Sequence, residues 1–270
     1  MHSIMTIMAR SIVITGSTRG IGYNLAQAFL ERGCAVTVSG RTQAAVNEAA
    51  TKLASQFGNQ RVLGYPCDVT DYAQVQSLWE AAKSHFDRID IWINNAGIAH
   101  PMMSFWEHSP EQFEEVVDTN VIGTMYGSKV ALTGMLAQGH GALYNLEGFG
   151  ANGRSMQGLT LYGSTKASLH FLDRSLALET RGTPVIAGAV APGMVITDMI
   201  TRQFEGRAEE LEKSKRILNI IAERAETVAP VLAERILANQ KNGVTIAYSS
   251  PARMMVKFLT APFNKRDLFS

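Results

Sequence analysis

The chain has 270 residues, of which 46% are hydrophobic and 18% charged, and its formal net charge is +1. This composition is typical of a globular protein that can bury a core without cross-links, and it gives no indication of nucleic-acid binding. Two cysteines are too few for a disulfide framework, which suggests buried packing residues in a reducing compartment and argues against a metal site. No apolar run approaches the length of about 18 residues that a membrane-spanning helix needs.

The first eight residues are too short for a secretion signal and lack a basic leader. We therefore expect a ragged end before the first strand and a cytoplasmic protein.

Strand-like and helix-like segments alternate along the chain. Most strands are apolar throughout, which is typical of a parallel sheet covered on both faces. The predicted strands are Ser11–Thr15, Ala35–Ser39, Arg61–Pro66, Ile89–Asn94, Ala142–Leu146, Pro184–Val190 and Val244–Tyr248. The predicted helices are Gly20–Arg32, Gln43–Phe57, Tyr72–Phe86, Pro110–Val117, Asn120–Gln138, Leu161–Glu179 and Glu226–Asn239. This order predicts an α/β, Rossmann-like, doubly wound sheet of seven parallel strands, and the lack of a linker predicts one domain over residues 1–270.

The stretch TGSTRGIG, residues 15–22, turns the first strand into the first helix. Glycine lets the backbone approach a ligand closely, and the free amides of a helix N-terminus attract phosphate. The spacing Gly-x-x-x-Gly-x-Gly alone is also compatible with a simple helix-packing turn, but its place in a βαβ run favours a dinucleotide site. The predicted cofactor contacts in this loop are Gly16, Ser17, Thr18, Arg19, Gly20, Ile21 and Gly22.

The second strand ends in Ser39-Gly40-Arg41, without the carboxylate that would bind the ribose hydroxyls of NAD. Arg41 and Arg19 are each typical of a solvated surface, but together they could clamp a 2′-phosphate through charge-assisted hydrogen bonds. The missing acid and the two arginines predict NADP(H) as the cofactor.

In this order and context, several short motifs make the chain resemble a short-chain dehydrogenase/reductase over roughly residues 9–250. The motifs are Thr15–Gly22, Cys67-Asp68-Val69, Asn94-Asn95-Ala96-Gly97, Asn120, Tyr162-Gly-Ser-Thr-Lys166 and Pro192-Gly193. The resemblance implies that Asp68 and Val69 border the adenine and that Asn94, Ala96 and Gly97 line the cofactor cleft. It also implies that Pro192, Gly193, Val195 and Thr197 flank the nicotinamide.

Tyr162 and Lys166 lie one helical turn apart, so their side chains emerge on the same face. A nearby ammonium is expected to lower the pKa of the phenol from about 10, and the phenol would then give a proton to a carbonyl oxygen. The resemblance implies that Lys166 also holds the nicotinamide ribose and that Asn120 bends its helix and holds a water beside the lysine.

The family usually has a serine near the end of strand five, where this chain has Glu147-Gly148-Phe149. Three catalytic explanations stay open. Ser155 could reach in from the following loop, a protonated Glu147 could donate to the substrate oxygen, or Tyr162 could work unaided. Glu147 could equally point away and form a structural hydrogen bond.

The same departure resembles the chlorophyll b reductase branch of the family. The stretches that carry this resemblance are Asn145–Gly150, Tyr162–Lys166, Pro192–Asp198, Asn219–Val228 and the residues after Ser249. It implies reduction of a tetrapyrrole formyl group to a hydroxymethyl group with NADPH. The loops His100–Ser109 and Met194–Phe204, rich in methionine and aromatic residues, could hold a flat apolar ring system. A general ketone or alcohol oxidoreductase and a non-catalytic NADP(H)-sensing protein are the alternatives.

The tail, about residues 251–270, alternates basic and apolar residues. Such an amphipathic tail could contact a membrane, form a subunit contact or pack on its own domain. The family resemblance implies a homodimer or homotetramer formed through the two long helices Asn120–Gln138 and Leu161–Glu179.

Overall fold

The computed structural model describes residues 9–261 and 266–269. The ragged end predicted for residues 1–8 and parts of the tail lie outside the described residues.

Seven strands form one sheet in which every neighbouring pair is parallel. These strands are β1 (Ser11–Ile14), β2 (Ala35–Gly40), β3 (Val62–Pro66), β4 (Ile91–Asn94), β5 (Gly141–Leu146), β6 (Val185–Ala191) and, after two short strands, β9 (Thr245–Ala247). Their spatial order is β3-β2-β1-β4-β5-β6-β9. The predicted fold class is therefore confirmed. A separate two-stranded ladder of β7 (Val195–Ile196) and β8 (Glu223–Arg224) was not predicted.

Helices connect the strands and cover the sheet. They are α1 (Gly20–Glu31), α2 (Gln43–Phe57), α3 (Tyr72–Phe86), α4 (Pro110–Val117), α5 (Gly123–Gln138), α6 (Thr160–Glu179), α7 (Asp198–Arg202), α8 (Ala208–Ile221), α9 (Ala225–Ala238) and α10 (Pro251–Thr260). The helix expected over Asn120–Gln138 differs, because Asp118–Ile122 forms a π-helical turn that joins α4 to α5. The helices α7, α8 and α10 were not predicted.

Local chemistry fixes several helix starts. The Asp71 carboxylate accepts hydrogen bonds from the backbone amides of Ala73 and Gln74 at the start of α3. Ser109 and Gln112 form a capping box at α4, with Pro110 in the first turn, where its missing N–H costs nothing.

The sheet separates two apolar cores, because successive strand residues point to opposite faces. Ile12 and Ile14 of β1 pack with Phe29 of α1 and Leu232 of α9 on one face. Val13, between them, faces the other core. That core contains the tilted rings of Trp79 and Trp92, whose centroids lie 6.0 Å apart, and Met135.

Cys34 and Cys67 are both buried and free, as expected of packing residues. Burial raises the pKa of both thiols, to about 12 for Cys67. In the described part of the chain no three His, Cys, Asp or Glu side chains form a group that could hold a metal ion. Among the same residues no helix combines the length and apolarity needed to cross a membrane.

Candidate active site

The loops at the carboxyl ends of β1 and β4 are tied together by Thr15 and Asn95. The Thr15 hydroxyl accepts hydrogen bonds from the backbone amides of Asn95 and Ala96, each at 3.1 Å. The Asn95 amide in turn donates to the carbonyls of Thr15 and Gly16, each at 2.8 Å. Sequence reasoning quoted Asn95 but gave it no role, although an asparagine at a strand end next to a glycine loop is a usable signal for such a bridge.

This close approach of the two loops requires glycine. Gly16 has φ +62°, and a Cβ there would lie 2.8 Å from the Ala96 Cα. A Cβ at Gly22 would lie 2.5 Å from the Asn95 amide nitrogen. The helix α1 starts without a side-chain cap from Arg19 and without an acid in its first turn, so its positive end is left for an anion. These features fit the pyrophosphate of a dinucleotide.

Side chains of the glycine loop take different positions. The Ser17 hydroxyl is buried, donates to the Ile14 carbonyl at 2.6 Å and accepts from the Ser39 amide at 3.0 Å, so it links β1 to β2. Thr18 lies over Gly40, where a Cβ would come within 2.7 Å of the Thr18 methyl group. The Ser17 amide also donates to the Ser39 carbonyl, at 2.7 Å, so both its hydroxyl and its amide serve to join the two strands.

Thr197, at the start of α7, faces the glycine loop across the cleft. A Cβ at Gly20 would lie 3.6 Å from the Thr197 methyl carbon. Val195 is buried in the β7–β8 ladder just before it, and Pro192 is buried where β6 ends. Gly193 follows with φ +76°. The segment from Pro192 to Thr197 thus forms the wall opposite the glycine loop, with Ile21 half-buried at the base of that loop.

The groups predicted near the adenine end lie at neighbouring strand ends. Arg41 is exposed just after β2. The Arg19 guanidinium lies 3.9 Å from the Asp198 carboxylate, and both side chains are largely exposed. The Asp68 carboxylate accepts from the amide and hydroxyl of Thr70. Val69 is buried, and a Cβ at Gly123 would come within 2.6 Å of its side chain, so glycine is required on the facing helix.

Asn94 corrects a prediction. Its side chain is buried, accepts from the Trp92 indole at 2.8 Å and donates to the side chains of Asn145 and Ser128. Because the side-chain amide is used in this core network, it is not free to bond a cofactor in the cleft. The cleft is lined at this strand end by the loop that contains Ala96 and Gly97.

Tyr162, Lys166 and Asn120 are brought together with Gly97. The Lys166 Nζ donates to the Leu146 carbonyl at 3.1 Å and lies 5.8 Å from the centre of the Tyr162 ring. Asn120, in the π-helical turn, accepts from the Ile98 amide and donates to the Ile98 carbonyl. A Cβ at Gly97 would lie 3.2 Å from the Asn120 Oδ1 and 3.7 Å from the Lys166 Nζ.

The pKa of the phenol shifts opposite to the prediction. Burial raises the pKa of Tyr162 to about 12. Burial also lowers the pKa of Lys166 to about 8, against the attraction of Asp173 and Glu147. The sequence argument included the ammonium but not the loss of solvent, which dominates here. The phenol is therefore protonated at neutral pH, as a proton donor must be.

The position of the missing serine is filled by glycine. A Cβ at Gly148 would lie 2.5 Å from the Tyr162 hydroxyl oxygen. Glu147 is buried, and its Oε1 lies 2.7 Å from the His170 Nδ1. Its carboxyl therefore forms an acid–base pair with another side chain of the protein. Ser155 is exposed on the loop that follows, and Phe149 is half-buried.

Three segments meet at the mouth of the cleft. The Met102 amide donates to the Gln203 carbonyl at 3.0 Å, and Arg207 donates to the Met102 carbonyl at 2.5 Å. A Cβ at Gly158 would lie 3.1 Å from the Met102 Cβ. Close by in sequence, Trp106 is 84% exposed. The two loops predicted to form the mouth are therefore bonded to each other.

Comparison with known proteins decides the family. A family model described as short chain dehydrogenase matches residues 10–208. The chain belongs to the short-chain dehydrogenases. This dehydrogenase is 37% identical over 237 residues to "Chlorophyll(ide) b reductase NOL, chloroplastic" of Oryza sativa subsp. japonica, which covers 86% of the chain and 68% of the relative. The protein of the same name from Arabidopsis thaliana is 37% identical over 265 residues and covers 96% and 73%.

A solved structure of ElxO with NADP bound matches this dehydrogenase with a TM-score of 0.77 and 28% identity, covering 89% of the chain and 97% of ElxO. The resemblance inferred from the sequence is thus confirmed, including its likeness to the chlorophyll b reductases. Family membership makes the chain an oxidoreductase, and the solved structure of ElxO shows NADP bound to a similar fold. Both plant relatives are named as chloroplastic, which does not fit the expected plain cytoplasmic location.

Proposed function

We propose that this dehydrogenase is an NADPH-dependent carbonyl reductase in which Tyr162 is the proton donor. The observation that carries the proposal is the grouping of Tyr162, Lys166 and Asn120 beside the loops that follow β1 and β4. Only glycine allows these two loops to approach each other so closely. A protein that only senses nucleotide could use Lys166 to hold the nicotinamide ribose, but it would not need the Tyr162 phenol as a proton donor.

When bound, NADPH would supply the hydride that reduces the carbonyl carbon. The Tyr162 Oη gives its proton to the carbonyl oxygen, so the C=O bond becomes CH–OH and one proton is taken from the protein. Lys166 stabilises the phenolate left behind, because its ammonium lies near the ring. Asn120 holds the loop at Ile98 through two backbone hydrogen bonds and so fixes the wall beside Lys166.

We further propose a formyl group on a tetrapyrrole as the substrate. Support comes from the 37% identity to the plant chlorophyll(ide) b reductases and from the mouth, where Met102, Phe105 and the exposed Trp106 offer apolar surface to a flat ring.

The decisive test is NADPH-dependent turnover of chlorophyllide b beside a panel of simple aldehydes and ketones. The variant Tyr162→Phe should lose at least about 100-fold in kcat while NADPH affinity stays the same. Full activity in this variant would contradict the assignment of the proton donor. Tight NADPH binding with no turnover of any carbonyl would favour the nucleotide-sensing alternative. The reason to consider that alternative is that a glycine stands where the family usually has a catalytic serine. Faster turnover of simple ketones would favour a general oxidoreductase.

The preference for NADPH rests on the missing acid after β2 and on Arg41, which is exposed just after that strand, whereas Arg19 lies near Asp198. We expect Arg41→Ala to weaken NADP binding about 10-fold and leave NAD binding unchanged, since a charge-assisted bond to the 2′-phosphate is lost. Arg181→Ala, an exposed arginine at the end of α6, is the matched control. Equal affinity of the parent for NADP and NAD would contradict the preference.

Two partner contacts belong to the same proposal. A homodimer or homotetramer would bury exposed apolar residues of α5 and α6, among them Phe171 and Leu178. A peripheral membrane contact would use the exposed Met255 and Leu259 of α10, and cosedimentation with lipid vesicles tests it.

A further inference from the structure

An acid–base pair lies beside Lys166, where the family resemblance led us to expect a serine. Glu147 directly follows β5 and is only 8% exposed. Its Oε1 lies 2.7 Å from the Nδ1 of His170 on α6. Lys166 donates to the carbonyl of Leu146, the residue just before Glu147. The acid and the ammonium are therefore held by the same short stretch of backbone.

The position of His170 on α6 explains why it can hold this acid. His170 comes four residues after Lys166, so the two side chains emerge on one face of the helix. Lys166 donates to the backbone carbonyl of Leu146, and His170 pairs with the side-chain carboxyl of the next residue, Glu147. The His170 side chain is 41% exposed, so it reaches solvent on the far side of the carboxyl.

Lys166 needs a negative neighbour to keep its charge. It is 4% exposed, and burial lowers its pKa to about 8 even though Asp173 and Glu147 oppose the effect. Asp173 is a weak partner at neutral pH, because burial raises the pKa of its carboxyl to about 8. Glu147 is the other acid whose negative charge opposes the effect of burial on Lys166.

The other elements around α6 bring no competing charge to Lys166. The π-helical turn contributes Asn120, a neutral amide, and β6 is composed of apolar residues and glycine. The acids of α4 are exposed, and one of them, Glu115, lies 3.3 Å from His100. On α6 itself the titratable neighbours are Tyr162, His170 and Asp173, and His170 is paired with the Glu147 carboxyl.

We propose that Glu147 and His170 act as a positioning pair that keeps the catalytic lysine charged: His170 fixes the Glu147 carboxylate, and the carboxylate stabilises the Lys166 ammonium. Neither residue touches the reacting atoms. The inference rests on the proposed function, since Lys166 serves proton transfer only in a reductase.

The test reads the charge of Lys166 directly in the ligand-free protein. Nitrogen NMR of the lysine Nζ groups, with the Lys166 signal assigned by Lys166→Arg, gives its titration midpoint. Glu147→Gln should lower this midpoint by about one pH unit, since a charge is lost but the shape is kept. His170→Gln should lower it less, and Glu147→Asp should restore part of the shift. Glu179→Gln on the exposed end of the same helix and His85→Gln on α3 should leave it unchanged.

The same variants are then assayed as reductases. The alkaline fall of kcat should move to lower pH in Glu147→Gln in parallel with the Lys166 midpoint, while a variant that merely unfolds would lose activity at every pH. An unchanged Lys166 midpoint in folded Glu147→Gln would overturn the inference whatever the activity. A shifted midpoint with no turnover of any carbonyl would uphold the pair and contradict the proposed function instead.

Discussion

The Tyr162 phenol is confined by a glycine. Because Gly148 has no side chain, the Tyr162 hydroxyl oxygen can lie next to its backbone. A Cβ at Gly148 would lie only 2.5 Å from that oxygen and 3.3 Å from each of two side-chain carbons of Lys166. A serine at this position would have to displace the phenol before it could bond to it. The exchange of serine for glycine therefore changes the shape of the site as well as its hydrogen bonding.

We expect Gly148→Ala to lower kcat by at least about 10-fold, because the new methyl group pushes the phenol away from its working position. Affinity for NADPH should change little. Steady-state kinetics and fluorescence titration separate the two effects. Gly163→Ala, on the helix that carries Tyr162, is the control, since a Cβ there would meet only the Gly150 Cα, at 3.9 Å. Equal kcat in the Gly148 variant and the parent would show that the phenol adapts without loss.

Asp173 makes stability depend on pH. Burial raises the pKa of its carboxyl to about 8, whereas an unfolded aspartate has a pKa of about 3.9. Between these values the folded protein holds more protons than the unfolded chain, so the free energy of unfolding falls as pH rises from about 4 to 8. Asp173→Asn should flatten this fall, because its Oδ1 still accepts from Asn145 but no longer titrates.

Urea unfolding at pH 5 and pH 8 measures the difference. Asp87→Asn, at an exposed helix end with φ 65°, is the control that should leave the pH dependence as it is in the parent. The same pH dependence in Asp173→Asn and the parent would rule out Asp173 as the source.

The sequence predicts Tyr162 and Lys166 as the reacting residues, but it does not show how burial acts on them. Tyr162 and Lys166 follow from a spacing of one turn, which is local. Other features depend on side chains that are far apart in the sequence. Glu147 pairs with His170, and the buried Asn94 side chain donates to Asn145. A raised phenol pKa also requires knowing how much water is removed, which spacing does not contain.

At the scale of elements, Glu223 joins the wall of the cleft to the tail. It lies in β8, which pairs with β7, and its carboxylate is 2.8 Å from Lys257 of α10 and 2.5 Å from Arg266. Burial opposes ionisation, but the bonds from the two cations outweigh it and lower the pKa of Glu223. The described part of the tail is therefore fastened to the rest of the chain through Lys257 and Arg266.

Glu223→Gln should loosen both the tail and α8, because two cations lose their partner in a mostly buried place. We expect a loss of about 2 kcal/mol in the free energy of unfolding. Hydrogen exchange should quicken in α8 and α10 but not in β1 or β4. The control Glu209→Gln removes an exposed acid from α8 itself. Unaltered exchange in α10 would mean that apolar packing alone holds the tail.

The elements that sequence reasoning missed are those around Glu223. The strands β7 and β8 have two residues each, which is too few to show a periodic pattern in the sequence. They pair only because the chain comes back to β7 after α8, and the sequence does not show this. The strands of the main sheet were predictable because burial on both faces makes them continuously apolar, as Ile12-Val13-Ile14 illustrates.

At the scale of the whole molecule, the outer faces of α5 and α6 are unusually apolar. Phe171 is 75% exposed and Leu178 62% exposed on α6, and Met125 and Leu136 of α5 are more than 40% exposed. Residues of this kind are typical of an interface between subunits.

If the chain forms the predicted homodimer or homotetramer, Phe171→Glu should convert it to a monomer, because a charge would be buried without a partner. Analytical ultracentrifugation gives the mass in solution. Ile217→Glu, on the exposed side of α8, is the matched change that should leave the assembly intact. A parent that already sediments as a monomer would refute the predicted homodimer or homotetramer.

The buried thiols of Cys34 and Cys67 make the molecule convenient for spectroscopic labelling. Maleimide dyes attack thiolates, and a thiol that is shielded from solvent and hard to ionise reacts slowly. A cysteine introduced in place of exposed Trp106 would then take up a fluorophore selectively, with both native thiols left in place. Movement of the loop at the cleft entrance could be followed in this way while nucleotide is added.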